Sequence, residues 1–161
     1  MLTVYLVSVF IHILCAVIWL GGLVLLLLVW LPAHSEMPHW IAKGDMVFRR
    51  VAWYAFAGLV VTGIYNVLAR GWSWSDLIGL SFWQSAFGQT LAVKLLLFAL
   101  ILGISAWYDF VIGPRLLELG RGADKELQEM RRRAKILCQC NFALGLAVLI
   151  CAIMLVRGRP F

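Results

Sequence analysis

The sequence predicts an all-α integral membrane protein, a four-helix bundle with both termini extracytoplasmic. Three observations carry that prediction. Four apolar stretches are each long enough to cross a bilayer, only 14% of the 161 residues are charged against 63% hydrophobic, and the basic residues gather on alternate connections. A soluble domain carries about 25% charged residues. No polar stretch is long enough to bury a core of its own, so residues 1–161 read as a single transmembrane domain.

Helices are expected at about 2–31, 48–69, 87–113 and 135–156. Each holds about the 20 apolar residues a span needs. In lipid, four segments satisfy their backbone groups only as helices, being too few to close a barrel. The first is uncharged throughout and stops at Pro32, in the connection PAHSEMPHWIAKGDM. Its apolar run is about twice too long for a cleavable signal and no basic segment precedes it. The second follows the Arg49-Arg50 pair. The third follows RGWSWSDLIGLSFWQSAFG, whose Trp72, Trp74, Phe82 and Trp83 suit a short amphipathic segment lying at headgroup level. The fourth follows RLLELGRGADKELQEMRRRAK, which reads as charged helical extensions around a Gly-Arg-Gly turn.

Charge sets the orientation. Lys43, Arg49 and Arg50 in the first connection, with Arg115, Arg121, Lys125, Arg131, Arg132, Arg133 and Lys135 in the third, make ten basic residues on one side. Only Arg70, Arg157 and Arg159 lie on the other. The ten-residue side is expected to be cytoplasmic, placing the chain as a multi-pass protein of the inner (cytoplasmic) membrane. The net charge of +6 is this bias, so nucleic acid is not an expected partner. Membrane lipids are, and the RRRAK cluster suits anionic headgroups.

Within the spans, the unusual side chains fall in stripes. At about 100° per residue, Tyr5, Ser8, Cys15 and Trp19 share the direction of His12. Gly21 lies opposite and Gly22 to one side, where small residues let another helix approach. The second span aligns Ala55, Gly58, Thr62, Tyr65 and Asn66. The third aligns Thr90, Leu97, Ile101, Ser105 and Tyr108 with Lys94, and the fourth Cys140, Ala147, Cys151 and Met154. Cys138 and Cys140 point about 200° apart and do not chelate one ion together.

Depth brings these groups towards the outer half. His12 lies roughly 15 Å along its helix, near the midplane, and Lys94 roughly 10 Å into its own from the same side. A buried Lys costs about 2.5–3.5 kcal/mol on insertion scales, so each such group needs a partner or a purpose. Packing alone gives His12 a hydrogen bond to Tyr65 or Thr62 and lets Lys94 snorkel outward. The alternative is one polar cavity, open to the outer side, faced by His12, Tyr65 and Lys94, with His12 a ligand or proton carrier.

FIHILCAVIWLGG, with its His, a Trp seven residues on and then Gly-Gly, resembles the first-helix signature of the CopD (copper resistance protein D) domain family. RRVAWYAFAGLVVTGIYNVL and SAFGQTLAVKLLLFALIL continue the likeness, the last through Gly-x-x-Leu-x-x-Lys. More distantly the chain is similar to HemJ-type protoporphyrinogen oxidases, which share a four-helix plan with a first-helix His and a Lys in the third. The first resemblance implies copper uptake or resistance, the second haem b binding. Carried over, the positions of interest are His12, Trp19, Gly21, Gly22, Thr62, Gly63 and Lys94.

Copper and haem b both remain open at this point. For copper(I), His12, Cys15, Cys151 and Met154 supply imidazole, thiolate and thioether. Met154 lies nearer the surface than Cys15 by roughly 15 Å on straight helices, so these are successive stations on a path. For haem b, His12 is the axial ligand, with Lys94, Met154 or an open sixth position opposite and Tyr65 and Trp19 nearby. The expected protein partner is a redox or copper-carrying protein on the outer side. An accessory subunit of a membrane complex is the third reading.

Overall fold

The computed structural model describes residues 2–30, 39–119 and 124–157. Among these there is no strand, and four helices are long and apolar enough to cross a membrane: Leu2–Leu28, Val47–Leu68, Ala86–Leu116 and Lys125–Arg157. The chain divides into two compact units, Met1–Gln84 and Ser85–Phe161.

The first unit is built on α1 (Leu2–Leu25, continued by a π-helical turn, Leu26–Trp30) and α2 (His39–Leu68). Helix α2 begins nine residues earlier than the expected 48. A helix that continues past the membrane has no apolar run to announce it. The last turn of α2 ends with Gly71 at φ +94, a left-handed conformation that suits glycine. Two short helices come next, α3 (Trp74–Ile78) and α4 (Leu80–Gln84), in the aromatic connection. Ser73 caps α3 and exchanges bonds with Asp76 in a capping box. Bonds from the Ser73 backbone N–H and hydroxyl hold the Asp76 carboxyl below the usual carboxylate range. Phe82 is buried, edge-on to both Trp72 and Trp83, and the Trp83 indole N–H donates to the Leu77 carbonyl at 2.9 Å.

α1 and α2 run antiparallel. Trp19 lies on Phe56 (ring centroids 5.4 Å apart), Cys15 against Gly58, and His12 against Thr62 and Gly63. Each step down α1 is matched by one up α2. On α1 the less exposed positions include Tyr5, Ser8, His12, Cys15, Trp19, Gly22 and Leu23; on α2 they include Ala52, Ala55, Phe56, Leu59, Thr62 and Asn66. Both rows advance mainly by threes and fours, the spacing of a coiled-coil seam. The remaining faces are largely Leu, Val, Ile and Phe, and most of these are exposed, as suits side chains that meet lipid.

The second unit pairs α5 (Ala86–Trp107) with α7 (Asp124–Arg157). Ser85 caps α5 by accepting from the Gly88 N–H at 3.0 Å. A π-helical turn, Tyr108–Ile112, leads straight into α6 (Gly113–Leu119). Within this turn the Gly113 N–H reaches back to the Tyr108 carbonyl. Pro114 comes immediately after, and its missing N–H is where an α-helical ladder breaks. The expected third span, 87–113, therefore continues for six residues beyond its predicted end. The fourth starts at 124 instead of 135, so the charged connection is helical up to the Gly-Arg-Gly turn, which lies outside the described residues.

α5 and α7 are also antiparallel, clipped by the Asn141 amide donating to the Ser105 hydroxyl at 2.9 Å. Thr90 and Ile101 are fully buried on α5, and the Thr90 hydroxyl donates to the Ala86 carbonyl one turn back.

Candidate functional site

The most polar part of the α1–α2 seam centres on His12. Its Nδ1 lies 2.8 Å from Thr62 Oγ1, and the Thr62 hydroxyl donates to the Gly58 carbonyl at 2.5 Å. The hydroxyl has one proton, and the carbonyl takes it. Thr62 Oγ1 therefore accepts, and Nδ1 is the nitrogen that carries hydrogen. In the neutral ring this fixes the tautomer with the lone pair on Nε2. Thr62 is 9% exposed and His12 half-buried, so this arrangement is largely withdrawn into the seam.

Glycines create the space. A Cβ at Gly63 would lie 3.4 Å from His12 Cε1, so the imidazole rests on that backbone. A Cβ at Gly58 would come within 2.7 Å of Cys15 Sγ. Gly58, Thr62 and Gly63 thus form a small-residue step on α2 that receives a ring and a thiol from α1. His12 and Cys15 are three apart on one helix face, a spacing that puts Cβ atoms about 5–6 Å apart. Below them Trp19 (6% exposed) and Phe56 (3% exposed) close the seam with aromatic rings.

One turn towards the start of α1, the register brings Ser8 level with Asn66. Ser8 is 8% exposed, and Ser8 Oγ and Asn66 Oδ1 are both buried with no hydrogen-bond partner. Buried polar atoms without partners are costly, and two at one level make a polar step above the imidazole.

Several expectations change in detail. Tyr65 is 38% exposed, and Thr62 is the residue bonded to His12. The cause is angular: Asn66 stands about 40° from Thr62 in one direction and Tyr65 about 60° in the other. Gly21 faces open space, whereas the Phe48 ring lies directly over Gly22. On α7, Cys151 is buried and Ala147 and Met154 half-buried, but Cys140 is exposed. Over 34 residues the contact face of a straight helix drifts, so its two ends do not share one stripe.

In the second unit Lys94 is half-buried on the α5 row that carries Thr90 and Ile101. The register fixed by Ser105 and Asn141 puts it level with Cys151, with Met154 about one turn further towards Arg157. The four copper candidates thus divide between the units: His12 and Cys15 in the first, Cys151 and Met154 in the second. Among the described residues no group of three or more His, Cys, Asp or Glu side chains gathers into a cage. His39 opens α2, and His34 lies outside the described residues.

Asn141 escaped the sequence reading. Its signal was available: with Gln139 it is one of two amides in the apolar part of α7, where an unpartnered polar group is expensive.

Comparison with known families adds a separate observation. Residues 46–155 match the family model described as copper resistance protein D. The chain belongs to the CopD family. The match begins within α2 and ends in the last turn of α7, taking in Gly58, Thr62, Gly63, Lys94, Cys151 and Met154. α1, with His12 and Cys15, precedes the matched residues. No curated protein and no solved structure matches the chain. As a CopD-family membrane protein, the chain is associated with copper handling.

Proposed function

We propose that this CopD-family chain takes copper(I) into the membrane through a site on the α1–α2 seam centred on His12, with Cys15 as its second donor. The observation that carries the reading is the bond between His12 Nδ1 and Thr62, which orients the ring on the seam beside Cys15. Metal-binding histidines characteristically donate their other ring N–H in this way. Imidazole and thiolate are donors that suit copper(I). Copper is the cargo here. Ser8 and Asn66 offer oxygen atoms on the outer approach, and Trp19 with Phe56 ends the polar run beneath. Cys151 and Met154, in the second unit, are further soft donors for the same cargo.

The ten-to-three division of basic residues supports an inner-membrane protein with both termini outside, receiving copper from a carrier on that face. A topology reporter fused after Phe161 is expected to be active only outside the cytoplasm.

The deciding experiment is copper(I) retention by the purified protein against a competing chelator. Wild type, His34→Ala and His39→Ala are expected to hold copper alike, and His12→Ala to hold none. Equal copper in wild type and His12→Ala would leave the imidazole with a packing role. A Soret band in the purified protein, lost in His12→Ala, would make the ring a haem ligand instead.

A further inference from the structure

The second unit contains a cavity of about 430 Å³ at the end of the α5–α7 pair that lies opposite the chain's C-terminus. Its walls divide by chemistry. Trp107, Val111, Ile136 and Leu137 give it an apolar stem, and Arg115 and Arg133 stand at its rim. Val111 belongs to the π-helical turn, and Arg115 follows Pro114 directly. Along the helix Trp107 and Arg115 are about 12 Å apart, so the cavity runs lengthwise from a polar mouth into hydrocarbon depth.

We propose that this cavity is a binding site for one anionic phospholipid, its phosphate between Arg115 and Arg133 and the upper part of an acyl chain along Trp107, Val111 and Leu137. The charge complementarity is specific. A guanidinium presents a fork of N–H donors matched to phosphate oxygens. Glu129 takes one NH₂ group of Arg133 at 2.7 Å, which anchors the side chain at the rim and leaves its other donors. Arg131, Arg132 and Lys135 add positive charge along the same stretch of α7. The stem excludes a free anion as the preferred occupant, because inorganic phosphate leaves the apolar walls unfilled. Trp107, 58% exposed, lines the stem at its deep end. Anionic lipid is concentrated in the cytoplasmic leaflet, the side on which this basic end is expected.

The test is native mass spectrometry of the full-length protein in detergent, offered phosphatidylglycerol and phosphatidylcholine of equal chain length. Wild type is expected to retain one phosphatidylglycerol in preference to phosphatidylcholine. The double variant Arg115→Gln/Arg133→Gln should bind phosphatidylglycerol about thirtyfold more weakly, the effect of two cations at a membrane surface. Arg132→Gln/Lys135→Gln removes the same charge outside the cavity and should retain it. Val111→Trp keeps both arginines but fills the stem, and should lose the lipid. Circular dichroism of each variant confirms that the helices are intact. Equal loss in the two charge-removed variants would overturn the site in favour of a general surface field. Unchanged retention in Arg115→Gln/Arg133→Gln or in Val111→Trp would also overturn it, as would displacement by inorganic phosphate at matched concentration.

Discussion

The two units solve one problem in opposite ways. Each pairs two long antiparallel helices whose outer faces are apolar, and each places polar side chains in the seam. In α1–α2 the polar groups come as a connected set: His12, Thr62 and the Gly58 carbonyl in one chain, Cys15 beside them, Ser8 and Asn66 above. In α5–α7 the Asn141 amide and the Ser105 hydroxyl join the helices as a clip. A clip fixes register and orients nothing further. A chain that passes through Thr62 to a backbone carbonyl also chooses which nitrogen of an imidazole carries its proton. The first arrangement orients a ring; the second holds two helices together.

Breaking the first arrangement should have the largest effect. Thr62→Val keeps the side-chain shape but removes the acceptor for His12 Nδ1–H. Copper(I) affinity is expected to fall about 10–100-fold, the usual cost of losing such an orienting partner, with the helices intact. Competition with a copper(I) chelator measures it, and an unchanged affinity would show that the ring is oriented by something else.

The next effect concerns space. Gly58→Ala puts a methyl group 2.7 Å from Cys15 Sγ and forces the thiol or the helix to move. Overpacking of this kind costs about 1–3 kcal/mol. Gly21→Ala meets nothing within 4 Å and should be neutral. Unfolding of both variants in detergent compares them directly; equal stability would mean that the close approach at Gly58 is not needed.

The smallest effect is expected at the clip. Ser105→Ala removes the acceptor for the Asn141 amide, and inter-helix hydrogen bonds in membranes average about 0.6 kcal/mol. A double-mutant cycle with Asn141→Leu isolates the pair. A coupling well above about 1.7 kcal/mol, the upper end for such pairs, would place the clip in a larger network.

Much of this was legible in the sequence. The row Tyr5, Ser8, His12, Cys15 and Trp19 follows from 3.6-residue geometry alone, and all five are among the less exposed positions of α1. The four spans follow from hydropathy. The helical start of α2 does not, because residues 39–46 have no long apolar run, whereas the charged connection before the fourth span already reads as helical extensions. The choice between Thr62 and Tyr65 depended on a difference in angle that a stripe about 100° wide does not resolve. Pro114 hinted at an irregular turn, but the π-helical geometry before it depends on how α5 accommodates the missing donor.

The bond chain at His12 has one further consequence, for protons. It ends on the Gly58 carbonyl, which has no hydrogen to pass on. A relay requires every member both to give and to receive, so this chain conducts nothing towards the Trp19–Phe56 end. On the proposed copper(I) reading, a proton displaced from the Cys15 thiol is not passed inward through Thr62.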